Sequence, residues 1–351
     1  MSADVIDWNS NSRAASNLLD LIGRTPALRL PRLGEEFGIN LLAKLEFFSP
    51  SGSLKDRAYL KMMEDAEAKG ELKPGMTVLE CSTGNAGIAC SMVAAVKGYE
   101  CIIVMPEGMS EERHKTIRAY GAELVFTPGG ESDVDLALDE LEKMAEADPG
   151  RYWVPRQFSN PTNVDAHYES TAPEFWEQCG GNVDAFLATQ GTGGTLTGVG
   201  RYFKERNPGI KVFAVEPAEC PLLAHRQWGP HQIEGIGDGF VPRNLDLGVL
   251  DGIITVSSRE AIDMAKRLAR EEGIFTGMSS GANIVAAKKL ASHLPDIRTV
   301  ATMINDNGQR YFSTELFEAK REVEIPERDH PIDDYSLAEL EKYSEHWTII
   351  E

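Results

Sequence analysis

Between residues 41 and 304, apolar β-rich runs alternate with stretches of helical period, and this alternation limits what the chain can become more than any other feature. Residues 41–45 read as a strand, and 56–69 as a helix stopped by Gly70. A strand at 76–79, a helix at 86–97 stopped by Gly98, and a strand at 101–105 follow. Ser110 stands where an N-cap belongs, ahead of a helix to about residue 120 that Gly121 ends. A strand at 124–126 and a helix at 133–147 close the first half. The pattern resumes with a helix over 164–179, a strand over 183–189, a helix over 195–206 and a strand over 212–215. Helices at 258–272 and 282–292 and a strand at 300–304 complete it. Such alternation predicts parallel sheets covered by helices on both faces, an α/β protein of two lobes. The proline-containing stretch 156–163 interrupts the pattern and is the natural break between them.

Composition narrows the function classes. Of 351 residues, 42% are hydrophobic and 26% charged, enough apolar mass for a real core and incompatible with a disordered or collagen-like chain. With 55 acidic against 35 basic residues the net charge is −20, the wrong sign for nonspecific nucleic-acid binding. The chain has no apolar run of about 18 residues, and its first seven residues lack the basic and apolar blocks of a secretory signal. No membrane association and a cytoplasmic location are the expectations. The five cysteines (Cys81, Cys90, Cys101, Cys179, Cys220) form no CxxC pair and read as small buried apolar residues. The seven histidines show no ligand spacing, so no metal is expected.

Three loops rich in small polar residues flank strands or helix starts: Ser51-Gly52-Ser53-Leu54-Lys55-Asp56-Arg57, Ser82-Thr83-Gly84-Asn85-Ala86-Gly87 and Gly191-Thr192-Gly193-Gly194-Thr195. A fourth, Gly277-Met278-Ser279-Ser280-Gly281, opens a helix. The loop of Gly191, Thr192, Gly193, Gly194 and Thr195 leaves a buried strand and enters a helix. Its backbone N–H groups and the helix dipole suit a phosphate. Which ligand carries the phosphate stays open on this ground. A dinucleotide fingerprint would need glycine where Leu196 stands, although Glu216 is a partial match to the ribose-binding acid, and no P-loop occurs. Lys55, at a turn before a helix, is either a solvated helix-start residue or an inward-facing amine. In the second case burial lowers its pKa and makes it a carbonyl-trapping nucleophile. A phosphate loop with a buried lysine is what a pyridoxal phosphate (PLP) enzyme requires.

Together with Leu21-Ile22-Gly23-Arg24-Thr25-Pro26, Lys44-Leu45-Glu46, Gln157-Phe158-Ser159-Asn160-Pro161 and Gly235-Ile236-Gly237, these loops resemble, in order, the cysteine synthase / cystathionine β-synthase family of fold-type II PLP enzymes, over residues 17–317. The resemblance implies a tryptophan synthase β-like fold whose two parallel-sheet lobes hold the cofactor between them. Residues 17–50 and 161–317 would form the larger, phosphate-binding lobe and 51–160 the smaller, mobile one. Residues 1–16 would be an arm and 318–351 a tail. It implies that Lys55 is the Schiff-base lysine and general base, and that Asn85 bonds the cofactor's 3′ oxygen. Ser82, Thr83 and Gln157, with Gly84 and Asn85, would hold the substrate, residues 191–195 the phosphate, and Ser279 or its neighbour Ser280 the pyridine nitrogen. A serine there favours a protonated ring less than a carboxylate would, which suits β-elimination. The implied reaction is β-replacement on a serine-type amino acid through an aminoacrylate, with O-acetylserine and sulfide as the first pair. Cystathionine β-synthase-like condensation with a thiol, and desulfhydrase or ammonia-lyase elimination, are the alternatives. A non-catalytic PLP-fold binding protein is the reading from another class, and the presence of Lys55 argues against it. A homodimer is the family's expected assembly.

This sequence departs from the family pattern in several places. Ala86 stands where the family has a threonine, which removes a hydroxyl. Ile304-Asn305-Asp306-Asn307-Gly308 replaces the usual proline-aspartate-serine-glycine run. Asp238, in Glu234-Gly235-Ile236-Gly237-Asp238, adds negative charge at the substrate entrance, so a phosphorylated serine would need Arg113, Arg118 or Arg226 as a counter-charge.

Overall fold

The computed structural model describes residues 14–130, 133–317 and 331–351, so most of the expected N-terminal arm and the first part of the tail lie outside the described residues. The strands are β1 (Ala27–Arg29), β2 (Asn40–Leu45), β3 (Thr77–Cys81), β4 (Glu100–Pro106), β5 (Glu123–Thr127), β6 (Tyr152–Trp153), β7 (Ala185–Thr189), β8 (Lys211–Pro217), β9 (Gly252–Val256), β10 (Thr299–Ile304) and β11 (Thr348–Ile350). The helices are α1 (Pro31–Phe37), α2 (Lys55–Lys69), α3 (Asn85–Lys97), α4 (Glu111–Ala119), α5 (Val134–Ala147), α6 (Thr162–Ala166), α7 (Ala172–Gln178), α8 (Gly194–Arg206), α9 (Leu222–His225), α10 (Ser258–Arg267), α11 (Met278–His293) and α12 (Asp334–Tyr343).

Two sheets result. The larger runs β1-β2-β10-β7-β8-β9-β11 and the smaller β5-β4-β3-β6. Every pairing is parallel except β1 with β2. Helices cover both faces, so β3, β9 and β10 are buried along their whole length, as expected of a parallel sheet.

The strand order reverses once in each sheet. In the larger, β7, β8 and β9 step outward and β10 returns to the other side of β7. In the smaller, β3, β4 and β5 step outward and β6 returns beside β3. A crevice opens beyond the carboxyl ends of strands at such a reversal, the usual place for a ligand in an open α/β sheet. The chain leaves β7 into residues 190–195, β10 into Asn305, β3 into Ser82 and β6 toward Gln157. The four segments thus come from the two reversal points.

Several local expectations change. Ser110 occupies the N-cap of α4 but makes no capping bond; its hydroxyl donates to Arg310 O at 2.7 Å. The helix expected over 164–179 is split by a π-turn at His167–Thr171, and that over 258–272 ends in another at Leu268–Glu272. The described end of the tail is built into the larger sheet: β11 pairs with β9, and Leu340 of α12 is fully buried in the core.

A buried charge network ties α2 to the larger sheet. Arg57 donates to Glu46 Oε2 (2.8 Å) and Oε1 (3.0 Å), and to Glu174 Oε1 (2.8 Å) and Oε2 (2.7 Å). Lys44 reaches Glu174 at 2.9 Å. Burial alone would raise the Glu174 carboxyl, but Arg57 and Lys44 hold it at about 2. This network fixes the helix on which Lys55 is the first residue.

Candidate active site

One cavity between the two sheets is lined by Lys55, Ser82, Thr83, Gly84, Asn85, Gln157, Gly191, Thr192, Gly193, Thr195 and Ser279. Of the site residues expected from sequence, Gly194 lies outside this lining, because it is the first residue of α8 behind the loop, and so does Ser280, the alternative to Ser279. Leu54, Asp238 and Asn305 also face the cavity.

Lys55 is half-buried and reaches the cavity because the turn before it is pinned. Gly52 has φ +83°, a conformation glycine adopts freely. Its carbonyl accepts from Asn307 N at 3.1 Å, while Leu54 N donates to Asn305 O at 2.9 Å. Asp56 accepts from Ser51 N at 2.7 Å and from the Ser51 hydroxyl. Burial pushes its carboxyl up to about 6.

The glycine loop has the form of an anion cradle. A Cβ on Gly191 would stand 2.7 Å from Gly235 O, on Gly193 2.7 Å from the Leu245 backbone, and on Gly194 2.3 Å from Asn163 Oδ1. No side chain fits there, so the backbone N–H groups at the start of the 13-residue α8 are presented bare, at the positive end of the helix dipole. Asn163 Nδ2 braces the loop from behind through Thr192 Oγ1 (3.0 Å) and Gln157 O (2.8 Å). His167 Nε2 lies 3.3 Å from Thr195 Oγ1; burial drives this imidazole down to about 3, so it braces the loop as a neutral ring. In sequence His167 is one of seven histidines without ligand spacing, and the π-turn that aims it at Thr195 has no sequence signature.

On the opposite wall, Ser82 Oγ accepts from Gly84 N (3.0 Å) and Gly87 N (2.7 Å), which brackets the start of α3 and leaves its O–H as the group to donate onward. Gln157 Nε2 donates to Cys81 O at 2.8 Å. Asn85 is clamped at both ends: its Nδ2 donates to Asp306 Oδ2 at 2.6 Å and its Oδ1 accepts from Arg310 Nη1 at 2.6 Å. One amide N–H of Asn85 is thus committed to Asp306, and the second is the one a ring oxygen could take.

The structure separates the two adjacent serines. Ser279 faces the cavity, whereas Ser280 is fully buried and its Oγ accepts from Thr276 Oγ1 (2.7 Å) and Asn305 N (2.9 Å). Ser279 lies in the first turn of the 16-residue α11, another positive helix end at this cavity.

Asp238 shares the cavity with Lys55. Burial raises its carboxyl to about 6 against the pull of the Lys55 charge. None of the three arginines considered as counter-charges for a phosphorylated substrate lines the cavity, although Arg113 sits behind its wall, with Nη1 3.4 Å from Thr83 O. Fully buried Arg113 is ion-paired with Glu234 and stacked 4.8 Å from the Tyr311 ring centroid. Arg118 lies over Phe126, and Arg226 reaches Ser344.

A family model described as pyridoxal-phosphate dependent enzyme matches residues 18–306, and the chain belongs to that family, with a fold-type II architecture and PLP as its cofactor. Within it the protein is a cysteine synthase-like enzyme. It is 43% identical over 306 residues to a cysteine synthase of Staphylococcus aureus (strain Mu50 / ATCC 700699), covering 87% of this chain and 98% of that protein. It is 45% identical over 306 residues to the O-ureido-L-serine synthase of Streptomyces lavendulae, covering 86% and 93%. A crystal structure of an O-ureido-L-serine synthase lysine-to-alanine variant with O-ureido-L-serine bound superposes with TM-score 0.83 at 42% identity, covering 94% of this chain and 99% of that one. The donor set fits PLP: an anion cradle that no side chain can enter, an amine, a hydroxyl at a helix start and an oriented amide surround one cavity.

Proposed function

We propose that the protein catalyses β-replacement on an O-substituted serine, with O-acetylserine and sulfide as the first substrate pair. The observation that carries this reading is the pairing, across one cavity, of Lys55 with Ser279 at the start of α11, where other PLP chemistries would need a carboxylate. Bound PLP supplies an electron-withdrawing ring that acidifies the substrate Cα–H, and a ring nitrogen facing a hydroxyl and a positive helix end withdraws only moderately. That moderation favours loss of a β leaving group over racemisation or transamination.

In this reading Lys55 is the attachment point and, once displaced by the substrate amine, takes the Cα proton and later returns it. The loop from residue 191 to 195 would hold the phosphate, and Asn85 would offer its second amide N–H to the 3′ oxygen. Ser82, Thr83 and Gln157 orient the substrate carboxylate so that the Cα–H faces Lys55. Asp238, with no arginine among the described residues lining the cavity beside it, argues against a phosphate substituent on the serine oxygen and for an uncharged one.

A second reading has an observation of its own. A cavity of about 570 Å³ adjoins the first through Gln157, Phe158 and Asp238 and has room for an organic nucleophile in place of sulfide. The similarity to an O-ureido-L-serine synthase points the same way.

Purified protein reconstituted with PLP is mixed with O-acetylserine alone, with sulfide, and with homocysteine. Cysteine in the sulfide arm supports the first reading, a thioether in the homocysteine arm the second, and pyruvate in every arm means elimination. Lys55→Ala is expected to lose both the visible absorption band and turnover. A wild-type protein that stays colourless with PLP, or a Lys55→Ala protein with full turnover, would refute the proposal.

A further inference from the structure

We infer that Asn305, which stands where the family pattern has proline, is a positioning residue that directs the Ser279 hydroxyl proton at the cofactor's ring nitrogen; this rests on the function proposed above. Asn305 follows β10 and lies at the reversal point of the larger sheet. Its Nδ2 donates to Ser279 Oγ at 3.0 Å and to Thr189 Oγ1 at 3.0 Å, and its side chain borders the cavity. Its backbone is locked on both sides, N–H to Ser280 Oγ (2.9 Å) and carbonyl to Leu54 N (2.9 Å), so the amide has little freedom to turn away.

A serine hydroxyl has one proton and two lone pairs. With Asn305 donating into one lone pair, the Ser279 proton is left to point into the cavity, and a donor that is itself accepting becomes a stronger donor. The ring nitrogen opposite then accepts and stays unprotonated, as the positive end of α11 also demands. A proline at this position could not supply the amide and would also remove the N–H that binds Ser280. The sequence departure at 304–308 therefore adds a second residue to the control of ring basicity, two side chains away from the reacting carbon.

Asn305→Asp tests this because it keeps the shape and reverses the polarity. A carboxylate at this place accepts the Ser279 and Thr189 protons, so Ser279 presents lone pairs to the ring nitrogen, which then takes a proton. Asn305→Ala removes the donor without supplying an acceptor. Two readouts are taken on the reconstituted proteins in D₂O. One is PLP affinity, by titration of apoprotein. The other is the ratio of Cα–H exchange in L-alanine, which has no leaving group, to β-elimination from O-acetylserine.

Asn305→Asp should raise the exchange-to-elimination ratio at least tenfold and shift the visible band. Asn305→Ala removes two buried hydrogen bonds, of which the one to Ser279 bears on the cofactor, and should weaken PLP binding about five- to tenfold, with a smaller change in the ratio. Circular dichroism of each apoprotein verifies folding. If both variants fold and keep PLP affinity and the ratio within twofold of wild type, the inference is overturned while PLP chemistry at Lys55 stands. If wild type binds no PLP, the functional reading fails instead. A purely structural role for Asn305 would move affinity in both variants and leave the ratio alone, which also overturns it.

Discussion

Gly194→Ala should weaken PLP binding about thirtyfold, although it adds a single methyl to a residue that does not line the cavity. The added Cβ would stand 2.3 Å from Asn163 Oδ1, roughly 1 Å inside ordinary contact. It would also lie 3.2 Å from the Asn163 carbonyl, so the side chain is the group that must yield. Moving it that far breaks the Nδ2 bonds to Thr192 Oγ1 and Gln157 O, each worth about 1 kcal/mol net. The sum of about 2 kcal/mol corresponds to the thirtyfold figure. The assay is an absorbance titration of apoprotein with PLP for wild type, Gly194→Ala, Asn163→Ala and the double variant. Because both substitutions act through the same two hydrogen bonds, the double variant should be no weaker than Asn163→Ala. Gly194→Ala within threefold of wild type, or losses that add in the double variant, would refute the argument that the loop is braced through Asn163.

Two further outcomes concern stability. Glu174→Gln leaves Arg57 and Lys44 with Glu46 as their remaining carboxylate in the network and should cost about 3–5 kcal/mol, read as a lower urea midpoint; an unchanged midpoint would show that the network is not needed. Glu80 accepts from Tyr59 Oη (2.9 Å) and Cys81 N (2.8 Å), and burial raises its carboxyl from 4.5 to about 8. The folded state therefore holds this proton more tightly than the unfolded one, and stability from this group falls as pH rises from about 4.5 through about 8. Glu80→Gln should flatten that fall, measured as the change in urea midpoint across the window; an equal slope in both proteins would contradict it.

The strands and helices were legible where they are long and periodic. β1, with three residues of mixed exposure, and β9, five residues without period, carry no signal that separates them from loop. α12 and β11 follow a charged, proline-punctuated stretch, and their attachment depends on β9 and on the buried Leu340, which no local pattern announces. The loops of the site were readable because glycine and serine cluster there for geometric reasons. Their partners were not. Asp306 and Arg310 are more than 200 residues from the Asn85 they clamp, and Glu174 is 117 from Arg57. Charged residues that meet over such separations look in sequence like any solvated surface. Ser279 and Ser280 are neighbours on one helix, and only the packing of Thr276 and Asn305 around Ser280 tells them apart.

Both margins of the seven-stranded sheet are three-residue strands, β1 at one side and β11 at the other. β1 runs antiparallel to its neighbour and is followed within two residues by Pro31, which has no N–H to offer. A foreign strand arriving at either margin finds too few open hydrogen-bonding groups in register to hold on. The sheet is thereby self-limiting, protected against the edge-to-edge assembly that long bare margins invite.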